Sequence, residues 1–317
     1  MGMLVKTVLK QLRNFWDNMN LLKQFDGTID HSGKTLLLDH YMGVGDSLWR
    51  ICLHREIKRR NPNLKLYVSS VGPYWKLIYQ NSPYIDKLVD RIGNPPYIGG
   101  VDYYISDQRC PHVISDYARK LDALDSLEIW AGFEIRDKSY HYVVTEDEQK
   151  WADKFLNKYP RPIVGIQLKS STWVRTWPPE QVMRLISMLR YNGITVIVID
   201  NGKFEFKDDG IINLCGYNIR EVAAIVSKTN LNICPDSGLL HFSCFFKIPT
   251  IAIFGGSDPS CRTKYYSTIH LICHGNKYCN LYPCWSHAYI CPQGIAPSPC
   301  LAAIKAEEVF EIVKQIL

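Results

Sequence analysis

The sequence predicts an α/β protein made of two doubly wound domains, each with a parallel sheet covered by helices. Short apolar runs alternate with helical segments twice along the 317 residues, before and after a Pro160-Arg161-Pro162 break. Several of these runs end in turns rich in Gly, Ser and Asp that lead into a helix. In an open α/β sheet, ligands bind at such carboxyl ends of strands, so these turns are the candidate functional segments.

Composition and charge narrow the class of protein. The chain is 46% hydrophobic and 21% charged, which is typical of a globular protein. Its net charge of +6 suits anionic substrates or anionic membrane surfaces and does not require nucleic acid, so we expect no nucleic-acid partner. No apolar stretch reaches the roughly 18 residues that span a bilayer, and no signal peptide is evident. We therefore expect a cytoplasmic protein.

Residues 1–33 are predicted to form an amphipathic helix followed by a polar loop. Apolar residues recur at roughly helical spacing over residues 4–25, with Lys6, Lys10 and Arg13 between them. Such a helix suits peripheral contact with the inner face of a membrane. It equally suits packing on its own domain or on a second copy of the chain, and the pattern leaves these uses open.

The predicted N-terminal domain covers residues 34–160. Its strands are 35–39, 64–69, 87–89 and 101–106, and its helices are 46–60, 73–80 and 146–159. Gly43-Val-Gly45-Asp46 follows the first strand, and its glycines let the backbone turn tightly beside a ligand. Asp46 stands at the start of a helix, where a carboxylate either caps the helix or serves as a general base.

The predicted C-terminal domain covers residues 161–303 and precedes a final helix over 304–317. Its strands are 163–168, 194–200, 231–234 and 250–254, and its helices are 179–192, 219–229 and 239–247. Cations and hydroxyls from Lys169 to Arg175 precede a helix and suit a diphosphate, although an exposed basic loop explains them equally well. Asp236-Ser237-Gly238 caps another helix, whose free N–H groups favour the same anion. The alternative is an ordinary strand–helix–strand unit with a capped helix and no ligand.

Three motifs together resemble a known family. Gly43-Val-Gly-Asp46-Ser-Leu, Arg175-Thr-Trp-Pro178, and Asp236-Ser-Gly-Leu-Leu-His241 through Pro249 to Phe254-Gly are similar to segments of family 9 glycosyltransferases, in the same order and at similar spacing. These are the heptosyltransferases of lipopolysaccharide assembly and their protein-modifying relatives. The resemblance covers residues 34–317. It implies a GT-B fold, in which two Rossmann-like domains face an inter-domain cleft.

The resemblance also implies a reaction and its residues. The expected activity is inverting glycosyl transfer from a nucleotide-diphosphate sugar of the ADP-heptose type, with Asp46 as the catalytic base. Arg175 falls where the family usually has a phosphate-binding Lys, which keeps the charge and changes its geometry. Glu205 is the candidate for contact with the donor ribose. The other donor-binding candidates are Gly45, Lys169, Ser170, Ser171, Ser237, Gly238 and His241.

The chemistry of the reaction agrees with these residues. One carboxylate suffices to deprotonate an acceptor hydroxyl, and helix N-termini with Arg175 stabilise the departing diphosphate. Because no clear carboxylate pair demands Mg²⁺, we predict transfer without a catalytic metal. The acceptor hydroxyl belongs to a glycan, a lipid or a protein. Donor binding alone also fits a GT-B-like epimerase or hydrolase, or a non-catalytic sugar-nucleotide or metal-binding protein, which would tolerate Asp46→Asn.

Five of the eleven cysteines crowd into the Pro-rich loop 273–300. The thiols of Cys279, Cys284, Cys291 and Cys300 suggest a tetrahedral, structural site for zinc or iron. Some protein-modifying members of the resembled family carry an iron-bound four-cysteine motif in this region. Disulfides are disfavoured in a reducing cytoplasm, whereas free thiols and a site of three Cys with one His stay open. The catalytic residues lie elsewhere, so we expect folded protein that lacks this metal still to bind donor.

Overall fold

The computed structural model describes residues 22–41, 43–90, 100–107, 110, 120–139, 141–200, 202, 210–284 and 291–317. The chain divides into two compact units, Met1–Val143 and Val144–Leu317. Most of the predicted N-terminal helix and Glu205 lie outside the described residues. Across the described ranges, no helix combines the length and the apolar character that crossing a membrane requires.

The first unit contains a parallel sheet with the strand order β3-β2-β1-β4. Its strands are β1 (Thr35–His40), β2 (Lys65–Ser70), β3 (Lys87–Leu88) and β4 (Tyr103–Ser106). Its helices are α1 (Val44–Arg60), α2 (Trp75–Tyr79) and α3 (Ala123–Ala131). Every residue of β1 is buried, as expected for a central parallel strand with both faces covered. The carboxyl end of β1 therefore delivers the chain directly into the loop before α1.

The second unit contains a six-stranded parallel sheet with the order β10-β9-β8-β5-β6-β7. Its strands are β5 (Ile163–Gln167), β6 (Thr195–Ile199), β7 (Ile211–Asn213), β8 (Leu231–Pro235), β9 (Thr250–Phe254) and β10 (Ile269–Cys273). Its helices are α4 (Glu146–Leu156), α5 (Pro179–Tyr191), α6 (Ile219–Val226), α7 (Gly238–Phe245), α8 (Ser260–Thr263), α9 (Gly275–Tyr278), α10 (Pro299–Ala302) and α11 (Ala306–Ile316). The neighbouring strands β5 and β8 end side by side and lead into the Lys169 loop and the Asp236 turn. The prediction of two α/β units, each with a parallel sheet, is confirmed.

Helix α4 belongs to the second unit, whereas the sequence placed it before the domain boundary at residues 160–161. Arg220 on α6 is buried, and its Nη2 donates a hydrogen bond of 2.6 Å to Glu148 Oε2. Lys228 pairs with Asp153 at 2.8 Å. These contacts attach α4 to α6, so the division falls before the helix, between Val143 and Val144.

The final helix is part of the core of the second unit. The Trp177 Nε1–H donates to the Ile304 carbonyl at 3.1 Å, and the Ala306 N–H donates to Gln181 Oε1 at 2.9 Å. Val309 and Val313 are fully buried in the same apolar cluster as the sheet residues Ile166 and Ile233. The predicted separate segment 304–317 thus completes the packing of this unit.

Candidate active site

Asp46 lies in the first turn of α1, directly after the loop that follows β1. Gly43 is the N-cap residue of the helix, and its N–H donates to Asp46 Oδ2 at 3.1 Å. Asp46 and the neighbouring Gly45 are both half-buried. The carboxylate is thus held at the positive end of a helix, which favours its charged form.

In the second unit, the loop after β5 folds over the turn before α7. Ser170 Oγ donates to the Asp236 carbonyl at 3.0 Å, and Arg175 Nη1 donates to the same oxygen at 3.2 Å. Arg175 Nη2 also donates to Ser171 Oγ at 2.7 Å, and its Nε donates to Thr172 Oγ1 at 3.1 Å. The structure therefore brings Ser170, Ser171 and Arg175 together beside the start of α7.

Two side chains that the sequence analysis did not identify, Gln167 and Ser257, help to fix the start of α7. Ser237 is the N-cap residue, and its Oγ donates to Gln167 Oε1 at 2.5 Å and to the Pro235 carbonyl at 3.0 Å. Gly238 is the first helical residue. Asp236 is buried and accepts a hydrogen bond from Ser257 Oγ at 3.2 Å. The free N–H groups at the start of α7 thus lie next to Arg175, an arrangement that suits a diphosphate.

His241 is buried within α7, and its Nδ1 is hydrogen-bonded to the Tyr266 hydroxyl. This contact fixes the orientation of the imidazole. Tyr266 lies 25 residues further along the chain, so no local pattern pairs it with His241.

Lys169 points to a different neighbour from Arg175. Its Nζ lies 3.9 Å from Asp200 Oδ1, at the carboxyl end of β6. Asp200 is buried, and its Oδ2 has no hydrogen-bond partner among the described residues. The sequence analysis did not single out Asp200, because Asp200 is the last residue of a predicted strand. The predicted ribose contact, Glu205, lies nearby in sequence but outside the described residues.

The four predicted metal-binding cysteines line one small cavity. Its volume is about 20 Å³, and its lining includes Cys279, Cys284, Cys291, Cys300, Arg175 and Ser257. Burial and, to a smaller extent, the neighbouring thiols of Cys284, Cys279 and Cys291 raise the pKa of Cys300 to about 11. All eleven cysteines lie within the described part of the chain, and none is disulfide-bonded. Arg175, a candidate donor-binding residue, lines the same cavity, so this loop is next to the candidate donor site rather than apart from it.

The cavity is not a finished coordination site. Among the described residues, no group of three or more His, Cys, Asp or Glu side chains is already arranged to hold a metal ion. The backbone of Cys284 is fixed to the segment after β9, since its N–H donates to the Gly256 carbonyl at 2.9 Å. Gly256 leaves room for the thiol: a Cβ there would lie 2.3 Å from Cys284 Sγ. The donor set, four thiols around one cavity, nevertheless has the chemistry that zinc and iron prefer.

Comparisons with known proteins bear on the family and the fold of the chain. The model of glycosyltransferase family 9 (heptosyltransferase) matches residues 103–284. The lipopolysaccharide core heptosyltransferase OpsX of Haemophilus influenzae is 24% identical over 180 residues, which are 53% of this chain and 49% of OpsX. The chain thus spans about half the length of this curated relative.

Two solved structures show the fold. A glycosyl transferase family 9 protein from Veillonella parvula superposes with a TM-score of 0.68 at 16% identity, over 91% of this chain and 98% of that protein. The iron-containing dodecameric glycosyltransferase TibC of enterotoxigenic E. coli superposes with a TM-score of 0.65 at 17% identity, over 91% and 77% of the two chains. TibC has also been solved in complex with ADP-D-beta-D-heptose.

Proposed function

The chain belongs to glycosyltransferase family 9 (heptosyltransferase), and from this premise we propose that it transfers a sugar from a nucleotide-diphosphate donor to an acceptor hydroxyl. The observation that carries the proposal is the shared acceptor of Ser170 and Arg175: both donate to the Asp236 carbonyl, directly before the start of α7. In the proposed complex, the Arg175 guanidinium, the hydroxyls of Ser170 and Ser171 and the N-terminus of α7 all contact the donor diphosphate. We propose an ADP-heptose-type donor, because TibC binds ADP-D-beta-D-heptose.

The proposed reaction inverts the anomeric centre and uses no catalytic metal. Asp46 removes the proton of the acceptor hydroxyl as that oxygen attacks the sugar. Negative charge develops on the departing diphosphate, where Arg175 and the α7 N–H groups stabilise it. Ser170, Ser171, Ser237 and His241 orient the phosphates, and Lys169 adds a second positive charge.

A structural metal is the second part of the proposal. Cys279, Cys284, Cys291 and Cys300 would hold one zinc or iron, which supplies cross-linking of a loop that has few apolar residues to fold around. TibC, which shares the fold, is iron-containing. The Cys284 N–H donates to the Gly256 carbonyl, and the neighbouring Ser257 donates to Asp236. The cysteine loop 273–300 would therefore support the turn before α7.

The partners follow from the same reading. The acceptor carries a hydroxyl on a glycan, a lipid or a protein. Residues 4–25 would provide peripheral contact with the inner face of the membrane or self-association, and TibC is dodecameric. We propose that the protein is located in the cytoplasm. The alternatives, a nucleotide-sugar epimerase or hydrolase and a non-catalytic binder, keep the donor site and differ in their need for Asp46.

The test begins with the donor. A thermal-shift series with ADP, UDP, GDP and CDP should show the largest stabilisation with ADP, since a ligand that binds only the folded state raises Tm. Transfer is then measured as ADP released from ADP-heptose, with heptose-free lipopolysaccharide, with protein acceptors and with no acceptor. Acceptor-dependent ADP release supports a transferase. Equal release in all three supports the hydrolase, and binding without release supports the binder.

A further inference from the structure

Behind the proposed base, the first unit buries a cluster of ionisable groups that the reaction does not use. Its centre is Asp107, directly after β4, which has no exposed surface. Asp107 Oδ2 accepts a hydrogen bond from His40 Nδ1 at 2.8 Å and one from Arg50 Nε. Its Oδ1 accepts from the Tyr41 N–H at 2.9 Å. One carboxylate therefore holds the end of β1, the loop after it and the helix that carries Asp46.

Arg50 connects this cluster to the proposed base. It lies four residues after Asp46, so both side chains share one face of α1. Arg50 is 1% exposed, and its Nη2 has no hydrogen-bond partner among the described residues. Burial opposes its charge, but Asp107 and, to a smaller extent, Asp46 raise the pKa of Arg50 above its ordinary value. A permanent positive charge thus stands one helical turn behind the Asp46 carboxylate.

The two histidines of the cluster carry no charge near neutral pH. Burial lowers the pKa of His40 despite Asp107, and burial lowers the pKa of His54 further. His40 Nδ1–H donates to Asp107, which leaves His40 Nε2 to accept from His54 Nε2–H at 2.8 Å. This tautomer assignment follows from the network. The cluster therefore consists of one ion pair with neutral polar neighbours.

A buried ion pair is in general a weak source of net stability. The cost of removing both charges from water cancels most of their attraction, and apolar residues of similar volume are often as stabilising. The same pair also immobilises three segments around Gly43 and Asp46. Its location beside the proposed base therefore points to a role in the reaction.

We propose that Arg50, held by Asp107, is a positioning residue for Asp46: it fixes the start of α1 and places one positive charge beside the carboxylate. This inference rests on the proposed function, which gives Asp46 the role of general base. The other titratable or charged groups that face Arg50 or its partners come from β1, the segment after β4, α1 and α2. They are Asp39, His40, Cys110, His54 and Tyr79.

The test compares two substitutions of Arg50 with one control substitution, Arg220→Gln. Arg220 is the matched control, because it is 4% exposed and also donates from Nε to a carboxylate, Glu148, within the second unit. Arg50→Gln removes the charge, and Arg50→Lys keeps it. The Asp46 carboxyl is followed by ¹³C NMR titration of protein labelled at aspartate Cγ, with Asp46→Asn for assignment. This measurement needs no acceptor.

The expected result is a split between the variants. Arg50→Gln should raise the Asp46 titration midpoint by about one pH unit, because an adjacent cation favours the ionised form. Arg50→Lys should move it by less than about half a unit, and Arg220→Gln should leave it in place. In ADP release from ADP-heptose, both Arg50 variants should lower kcat about tenfold or more with little change in KM.

Each contrary outcome has a distinct meaning. An unmoved Asp46 midpoint in Arg50→Gln, or an equal loss of kcat in Arg220→Gln, overturns the positioning role. If Arg50→Gln does not fold, Arg50→Lys decides the question through its split between kcat and KM. Unchanged turnover in Asp46→Asn overturns the proposed base and the positioning role together. Turnover lost in Asp46→Asn and intact in both Arg50 variants overturns the positioning role alone.

Discussion

Arg175 donates a hydrogen bond from Nη1 to the main-chain oxygen of Asp236 across 3.2 Å, and so joins two segments that lie 61 residues apart. Its Nη1 also lies 3.5 Å from Asp236 Oδ2. Asp236 thus holds the Arg175 guanidinium beside the start of α7. An anion bound there would compete with Asp236 for the guanidinium. At the proposed donor site, binding would exchange this contact inside the protein for a contact with phosphate.

The first prediction concerns the proposed base. Asp46→Asn should lower turnover by about 10²–10⁴-fold, because the amide does not accept the proton of the acceptor hydroxyl. ADP affinity should change little, since Asp46 is not part of the proposed phosphate site. Rates of ADP release and ADP titration calorimetry measure the two effects. Full turnover in the variant would remove Asp46 from catalysis and favour a binding protein.

The second prediction concerns the phosphates. Arg175→Ala should weaken ADP binding by about 10–100-fold, the range for loss of a hydrogen bond to a charged group. Adenosine binding should change far less, because adenosine has no phosphate. Arg184→Ala is the control, since Arg184 is an exposed arginine on α5 that pairs with Glu307. Equal losses for ADP and adenosine would count against the placement of Arg175 at the phosphates.

The third prediction concerns the cysteine cavity. Purified protein should contain about one zinc or iron per chain, and Cys284→Ser should lower the metal content and Tm together. Because Cys284 contacts Gly256 and the cavity includes Arg175, ADP binding should weaken as well. Cys215→Ser, outside the cavity, should alter none of these. Elemental analysis that finds no stoichiometric metal in unchelated protein would leave free thiols as the explanation.

The fourth prediction is a loss of stability in acid that originates at His54. Burial lowers its pKa in the folded state, so below about pH 6.5 the unfolded chain binds a proton that the folded chain refuses. The stability from this group is fully present above that pH. It then falls by about 1.4 kcal/mol per pH unit until the folded-state pKa is reached.

His54→Gln should flatten this loss, because the amide does not titrate and its N–H group replaces the donor to His40. The measurement is the free energy of unfolding from pH 7.5 to 5, with exposed His270→Gln as the control. Parallel curves for the wild type and His54→Gln would show that His54 is not the origin of the acid sensitivity.

Buried central strands were the most predictable part of this chain. Strand β9 has the predicted bounds, β1, β5 and β8 differ from prediction by one residue at one end, and β6 differs by one residue at each end. Such strands are predictable because fully buried parallel strands are continuous apolar runs. The edge strands β7 and β10 were missed. In β10, His270 and Leu271 are exposed, so an edge strand lacks the apolar run that marks a central one.

The candidate site could be proposed from sequence where its residues follow each other in the chain. Gly43 to Asp46, Lys169 to Arg175 and Asp236 to His241 were found because cations, hydroxyls and glycines next to helix starts form local patterns. Contacts over long separations gave no such pattern. Gln167 contacts Ser237 across 70 residues and Asp107 contacts Arg50 across 57, so only the folded sheet brings them together.

The burial of the apolar residues between Leu301 and Val313 has a consequence for how the second unit forms during synthesis. Leu301, Ile304 and Val309 fill the same apolar cluster as Val164 and Leu231, and Trp177 is bonded to Ile304. The strands emerge from the ribosome long before the helix that covers them. Until α11 has left the exit tunnel, the sheet presents an uncovered apolar face, and nascent chains in this state need protection from aggregation.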